Sequence, residues 1–147
     1  MPTEDLYPPR LVSEARFIET LAVEGGLAVS AERYLARMLQ TLEAFGAPSP
    51  SLVLEEAERC ITSCLRTLSE EACQQIHRLT LTYTPRGIEA VRLIPYQRRS
   101  VRRLVPIELP SDFDYTYKYA DRSFFIEMSS RLGADEEPIF YRSSGEL

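Results

Sequence analysis

An α+β fold is what the sequence predicts: a small antiparallel sheet with two packed helices, then the first helix and strand of a second domain. Three observations predict it. Residues 15–29 and 78–109 carry strand-type alternation interrupted by glycine- or proline-containing turns. Residues 30–68 carry apolar side chains at helical spacing, in two blocks separated by Gly46 and Pro48. After Pro110-Ser-Asp112 the pattern changes again, to one helix and one strand. Runs of strands around a helix pair, in place of regularly alternating strand and helix units, mark an α+β domain. The expected division is therefore 1–110 for the small domain and 111–147 for the start of a second.

Residues 1–13, with Pro2, Pro8 and Pro9, read as an irregular arm. Ala15 to Glu24 suits a strand, and Gly25-Gly26 supplies a tight turn into Leu27 to Val29, so a hairpin is expected. Ser30 is a good N-cap for a helix whose apolar positions are 34, 35, 38, 39, 42 and 45, ended by Gly46 as a left-handed cap and by Pro48. Pro50 opens a second helix, with Val53, Ala57, Cys60, Ile61, Cys64, Leu65 and Leu68 as its buried stripe. A short turn or helical piece follows near Ser69 to Gln75. Leu79, Leu81 and Tyr83 alternate with Arg78, Thr80 and Thr82 in a half-exposed strand. Pro85-Arg-Gly87 turns the chain into strands at Ile88 to Tyr96 and Val101 to Leu109. Beyond the boundary come a helix from about Arg122 to Leu132, Gly133 as its C-cap, a strand at Pro138 to Arg142, and a turn at Ser143-Ser-Gly145.

The 147 residues can bury one substantial core, and the 44% hydrophobic and 27% charged content is that of an ordinary folded domain. A net charge of -5 argues against general nucleic-acid affinity, which depends on basic residues displacing counterions. The absence of a long apolar run and of a signal-type start leads to the expectation of a cytoplasmic protein with no membrane partner. Cys60, Cys64 and Cys73 are an odd number for a disulfide framework and suit reduced thiols.

Lys118, in Tyr115-Thr-Tyr-Lys-Tyr-Ala-Asp-Arg-Ser123, is the only lysine among 17 lysine and arginine residues. Arginine stays protonated, whereas a lysine among aromatic rings can lose its proton and attack a carbonyl. The tyrosines at 115, 117 and 119 alternate through the segment as residues of a strand do. The alternative is compositional, a single lysine kept without a role. The run Tyr117-Lys-Tyr-Ala-Asp-Arg122, with Leu132-Gly-Ala-Asp-Glu-Glu137 and Ile139-Phe-Tyr-Arg-Ser-Ser-Gly145, resembles the class IV aminotransferase family, the fold-type IV pyridoxal-phosphate group that includes branched-chain and D-amino-acid aminotransferases and aminodeoxychorismate lyase.

The resemblance implies pyridoxal 5'-phosphate as cofactor, an amino acid or amino-chorismate-type small molecule as substrate, and a homodimer. It implies that Lys118 binds the cofactor's aldehyde and serves as catalytic acid-base, and that Arg37, in Tyr34-Leu-Ala-Arg-Met38, binds the phosphate where relatives often carry His-Leu-x-Arg-Leu. The expected counterweight is a solvated helix arginine, like Arg33. The family's acid at the pyridine nitrogen lies beyond Gly145-Glu-Leu147, so the resemblance also implies a chain truncated in its second domain. A non-catalytic remnant or interaction domain that keeps the fold without the cofactor stays open beside the enzyme. Arg78, before the Pro85-Arg-Gly87 turn, is a weaker candidate for a substrate carboxylate and reads first as an exposed strand arginine. Cys60, Cys64, Cys73 and His77 have spacings that can bring ligands to one helical face, but buried thiols are the expectation, with no metal. Arg92, Arg98, Arg99, Arg102 and Arg103 read as a solvated sheet edge or subunit contact.

Overall fold

A computed structural model describes residues 15–147; the expected arm at 1–13 lies outside them. The chain is α+β, in the order β1 (Phe17–Glu24), β2 (Leu27–Ala28), α1 (Ala31–Ala44), α2 (Pro50–Leu65), β3 (His77–Thr84), β4 (Gly87–Pro95), β5 (Arg103–Glu108), α3 (Ser123–Ser130) and β6 (Glu136–Tyr141), with a 3-10 turn at Ala72–Gln74. It forms two compact units. One holds the described residues up to Tyr96 together with Lys118–Ala120, and the other holds Gln97–Tyr117 and Asp121–Leu147.

In the first unit an antiparallel sheet runs β2-β1-β3-β4. Alternation buries Phe17, Glu19, Leu21 and Val23 of β1 and His77, Leu79, Leu81 and Tyr83 of β3. Met38 and Leu42 of α1 and Val53, Ala57 and Ile61 of α2 complete this core. The expected α2 stripe is thus only partly buried: Cys60 and Cys64 are half-exposed free thiols at its margin. The His77 ring nitrogen bonds to the Gln75 carbonyl at 3.0 Å.

The Gly25-Gly26 turn has positive φ at both residues, +59° and +75°. A Cβ on Gly26 would come within 2.8 Å of Cys73 Sγ, whereas one on Gly25 would meet nothing within 4 Å. Gly26→Ala should therefore lower stability by about 2 kcal/mol and Gly25→Ala by about 1 kcal/mol, compared by urea unfolding.

α1 ends as expected at Gly46, φ +67°. Ala47 N–H donates to Leu42 O and Gly46 N–H to Glu43 O, the paired bonds of a Schellman cap. Its start differs. Ser30 stands at the N-cap but at φ 55°, and its side chain makes no capping bond.

β5 does not extend the first sheet. It pairs in parallel with β6, from Arg103 opposite Glu136 to Glu108 opposite Tyr141. Residues 97–110 group with the second unit, where β5 finds its backbone partner. This unit is filled by rings: Phe113 lies 4.7 Å from Phe124, and Phe125 lies 5.0 Å from Phe140. Gly133 is not the cap of α3. The helix ends two residues earlier, with Arg131 at the C-cap, and Gly133 N–H donates instead to Glu136 Oε1 at 2.7 Å. After β6 the turn expected at Ser143-Ser-Gly145 is present: Gly145, at φ +90°, donates its N–H to Arg142 O. Of the expected basic group, Arg99 bonds to Glu136 O and pairs with Glu137, and Arg103 lies 3.7 Å from Glu136. Those charges are met by the start of β6.

Candidate functional site

The Lys118 segment is not the strand that its alternating tyrosines suggest. One bridge forms, Tyr119 opposite Phe17, and residues 111–118 before it contain no strand. The rings of Tyr115 and Tyr119 part accordingly. Tyr115 packs at 5.2 Å on Phe125 in the second unit, while Tyr119 lies 5.4 Å from Phe17 in the first. Phe17 also meets Phe45 at 4.7 Å and Tyr83 at 5.6 Å, so Tyr119 is seated on an aromatic cluster of the core. Ile18 N–H donates to the Lys118 carbonyl at 2.9 Å, and Ala120 N–H donates to Arg16 O at 2.9 Å. These two bonds fix the backbone on either side of Tyr119. Lys118 itself is half-buried.

Arg37 is not the solvated helix arginine of the counterweight reading. Its Nε donates to both carboxylate oxygens of Glu19, at 3.0 and 2.9 Å, and its Nη2 pairs with Glu19 Oε2. Glu19 is 0% exposed, at an inward position of β1, whereas the Arg37 side chain remains 45% exposed. A buried carboxylate needs such a partner, because an unpaired charge in the core is strongly disfavoured. The Glu19 bond holds the Arg37 guanidinium charged, raising its affinity for the proton above the ordinary arginine value. Tyr83 Oη donates to Glu19 Oε1 at 3.4 Å from the adjacent strand. The Arg37 guanidinium also lies 5.4 Å from the centre of the Tyr34 ring.

Burial, reinforced by the Glu19 charge, raises Tyr83 well above the ordinary tyrosine value of 10.0. The folded protein therefore keeps a proton that the unfolded chain releases. The stability involved is fully present below pH 10.0 and is lost as pH rises from there through the higher folded value. Tyr83→Phe should flatten that alkaline loss, read as urea midpoints between about pH 8 and about pH 11.

Arg37 and Lys118 thus meet successive residues of one strand: Lys118 is bonded at Ile18, and Arg37 is clamped at Glu19. Between β1 and α1 lies a cleft of about 300 Å³ lined by Ala22, Val29, Ser30, Arg33, Tyr34 and Arg37. Arg78 is exposed on β3, opposite Ala22 and Ile94, and diagonal to Arg92, which faces Thr80. It takes the position expected of an exposed strand arginine. Glu19 is the residue that sequence reasoning missed. Its signal was a carboxylate at a core position of an otherwise apolar alternation. Among the described residues no cluster of three or more histidine, cysteine or acidic side chains could hold a metal ion, and no helix is long and apolar enough to cross a membrane.

No family model and no curated protein matches this sequence. Solved structures do. A candidate 4-amino-4-deoxychorismate lyase from Haemophilus somnus aligns with a TM-score of 0.64 at 17% identity, over 88% of this chain and 64% of its own. A hypothetical aminotransferase from Mycobacterium tuberculosis, with alpha-ketoglutarate and PMP bound, aligns with a TM-score of 0.65 at 17% identity, over 95% of this chain and 58% of its own. A further candidate 4-amino-4-deoxychorismate lyase aligns with a TM-score of 0.60 at 23% identity, over 98% of this chain and 58% of its own. The chain spans about three fifths of the length of these structures, and over that length it has their fold, the one expected from the class IV resemblance.

Proposed function

We propose that this chain forms the cofactor-anchoring part of a pyridoxal-phosphate enzyme of the class IV aminotransferase type, with Lys118 taking the cofactor's aldehyde and Arg37 its phosphate. The observation that carries this is the attachment of both residues to neighbouring positions of β1, Lys118 through Ile18 and Arg37 through Glu19. The donor set fits the group: one primary amine for a carbonyl, and a guanidinium, held charged and half-exposed, for a phosphate. When bound, pyridoxal phosphate supplies an electron sink for charge developing on a substrate carbon.

The protein's own part is binding and proton handling. Lys118 Nζ is an amine that can be both anchor and, once released, the group that holds and moves a proton. Arg37 stays charged throughout, because arginine does not deprotonate in proteins. An amino acid or amino-chorismate-type substrate carries a carboxylate, and the exposed Arg78 guanidinium is of the right chemistry to receive one. The same proposal includes a homodimer, to be checked by sedimentation equilibrium.

The test is to mix the protein with pyridoxal phosphate, reduce with borohydride and map the peptides. One cofactor mass on the Lys118 peptide, absent from Lys118→Ala, is the expected outcome. Since Lys118 is the sole lysine, an adduct confined to the chain's terminal amine, or no adduct, rejects the proposal in favour of a non-catalytic interaction domain.

A further inference from the structure

Cys60 and Cys64 stand one turn apart on α2, both half-exposed and both free thiols. Residues four apart in a helix hold their Cβ atoms about 5 to 6 Å from each other. A disulfide needs those atoms closer, at about 3.5 to 4.5 Å, so helix geometry keeps this pair from closing on itself. One atom placed between the two sulfurs spans the gap. The thiols sense each other: burial first, and the charge of Cys60 second, raise the affinity of the Cys64 thiol for its proton. The backbone beneath is pinned, because the Cys64 carbonyl accepts both the Thr67 hydroxyl at 2.6 Å and the Thr67 N–H at 3.1 Å. Among the described residues no third histidine, cysteine or acidic side chain joins the pair in a metal-holding group. Cys73 stands apart, its Sγ set against Gly26 in the first hairpin turn.

We propose that Cys60 and Cys64 form a two-coordinate site for a soft monovalent ion of the copper(I) class. Softness and ligand number together select the ion. Thiolates favour copper(I), zinc and iron–sulfur clusters. Structural zinc takes four protein ligands and catalytic zinc three, and an iron–sulfur cluster is held by four side chains, so both need more than this face of α2 provides. Copper(I), a filled-shell ion, is satisfied by two thiolates in line. On binding, two sulfur–copper bonds form, the two thiol protons pass to water, and copper remains at +1, so no oxidant or reductant is consumed. Half-exposure admits the ion, while Ala57 and Ile61, buried on the neighbouring stripe of the same helix, hold α2 in place. Neither Lys118 nor Arg37 takes part, so the assignment goes beyond the proposed function and stands or falls separately from it.

The experiment titrates the reduced full chain with copper(I) without oxygen, in competition with bathocuproine disulfonate, whose coloured complex reports the copper that the protein leaves behind. One copper(I) per chain is expected. Cys60→Ser and Cys64→Ser should each weaken binding about a hundredfold or more, since a hydroxyl is a poor donor to a soft ion, and Cys73→Ser should leave it unchanged. Circular dichroism of the copper-free variants is the folding control. X-ray absorption at the copper edge of the unsubstituted chain is a second reading that needs no variant, and two sulfur neighbours are expected. Three or more sulfurs, a nitrogen ligand, or copper-dependent joining of two chains in sedimentation overturns the proposal. So does copper binding that survives loss of either thiol. Zinc held as tightly as copper(I), and lost in Cys64→Ser, rejects the class of ion assigned here.

Discussion

Phe17→Ala should cost about 4 kcal/mol of unfolding free energy, enough to leave a domain of this size only marginally folded. Phe17 is 0% exposed and packs against Phe45, Tyr83 and Tyr119 at 4.7, 5.6 and 5.4 Å between ring centres. Truncation removes the transfer free energy of a whole ring and leaves a void that three rigid neighbours cannot collapse to fill. Urea unfolding monitored by circular dichroism measures the loss. Phe17→Leu, which keeps most of the volume, should cost about 1 to 2 kcal/mol. Equal effects of the two substitutions would show that the aromatic cluster is not the packing centre of this unit. Because Tyr119 rests on Phe17, the milder variant should also loosen the neighbouring backbone, seen as faster hydrogen exchange at Ile18, whose N–H bonds to Lys118.

Arg37→Ala should cost about 3 kcal/mol, the low end of the range for breaking a buried pair, because the arginine half is partly in water. The cost comes from what is left behind, a Glu19 carboxylate at 0% exposure with only a 3.4 Å bond from Tyr83. Glu19→Gln in the Arg37→Ala background should recover most of the loss, since an amide in the core needs no counter-charge. If the double variant is no more stable than Arg37→Ala, the carboxylate is not the source of the cost. The urea midpoints of the four proteins in this cycle settle the matter, and under the proposed function the single Arg37→Ala variant should in addition bind pyridoxal phosphate more weakly than the unsubstituted chain.

Much of the scaffold could be read before the structure because its signals are local. Period-two and helical spacing predicted the strands and helices of the first unit in order, and Gly46 and the Gly25-Gly26 turn take the positive φ expected of them. The failures are non-local. The strand expected at Val101 to Leu109 is present as β5, but nothing in its composition says that its partner is β6 in parallel and not the preceding sheet. Tyr115, Tyr117 and Tyr119 alternate as a strand would, yet the rings are claimed by two different packing environments, and that competition overrides the alternation. Ser30 has the right residue type for a cap and the wrong backbone conformation to use it. Arg37 was singled out by resemblance, whereas its clamp on Glu19 depends on a strand and a helix brought together only by folding. Glu19 stood in plain view as an acidic residue between Phe17 and Leu21, and it became meaningful only once its counter-ion was placed.

β1 offers one long side to β3, while its other side is divided between β2 near Val23 and the Lys118–Ala120 tripeptide near Phe17, some hundred residues further along the chain. The candidate catalytic amine is therefore installed by the most distant closure that this sheet makes, and loop-closure entropy places such a step late in folding. During synthesis the early strands would wait with a bare N–H and carbonyl rim, the kind of surface that invites intermolecular pairing. A polypeptide released before residue 118 should accordingly be more prone to aggregate than the natural chain, even though every helix and strand of the four-stranded sheet is already present in it.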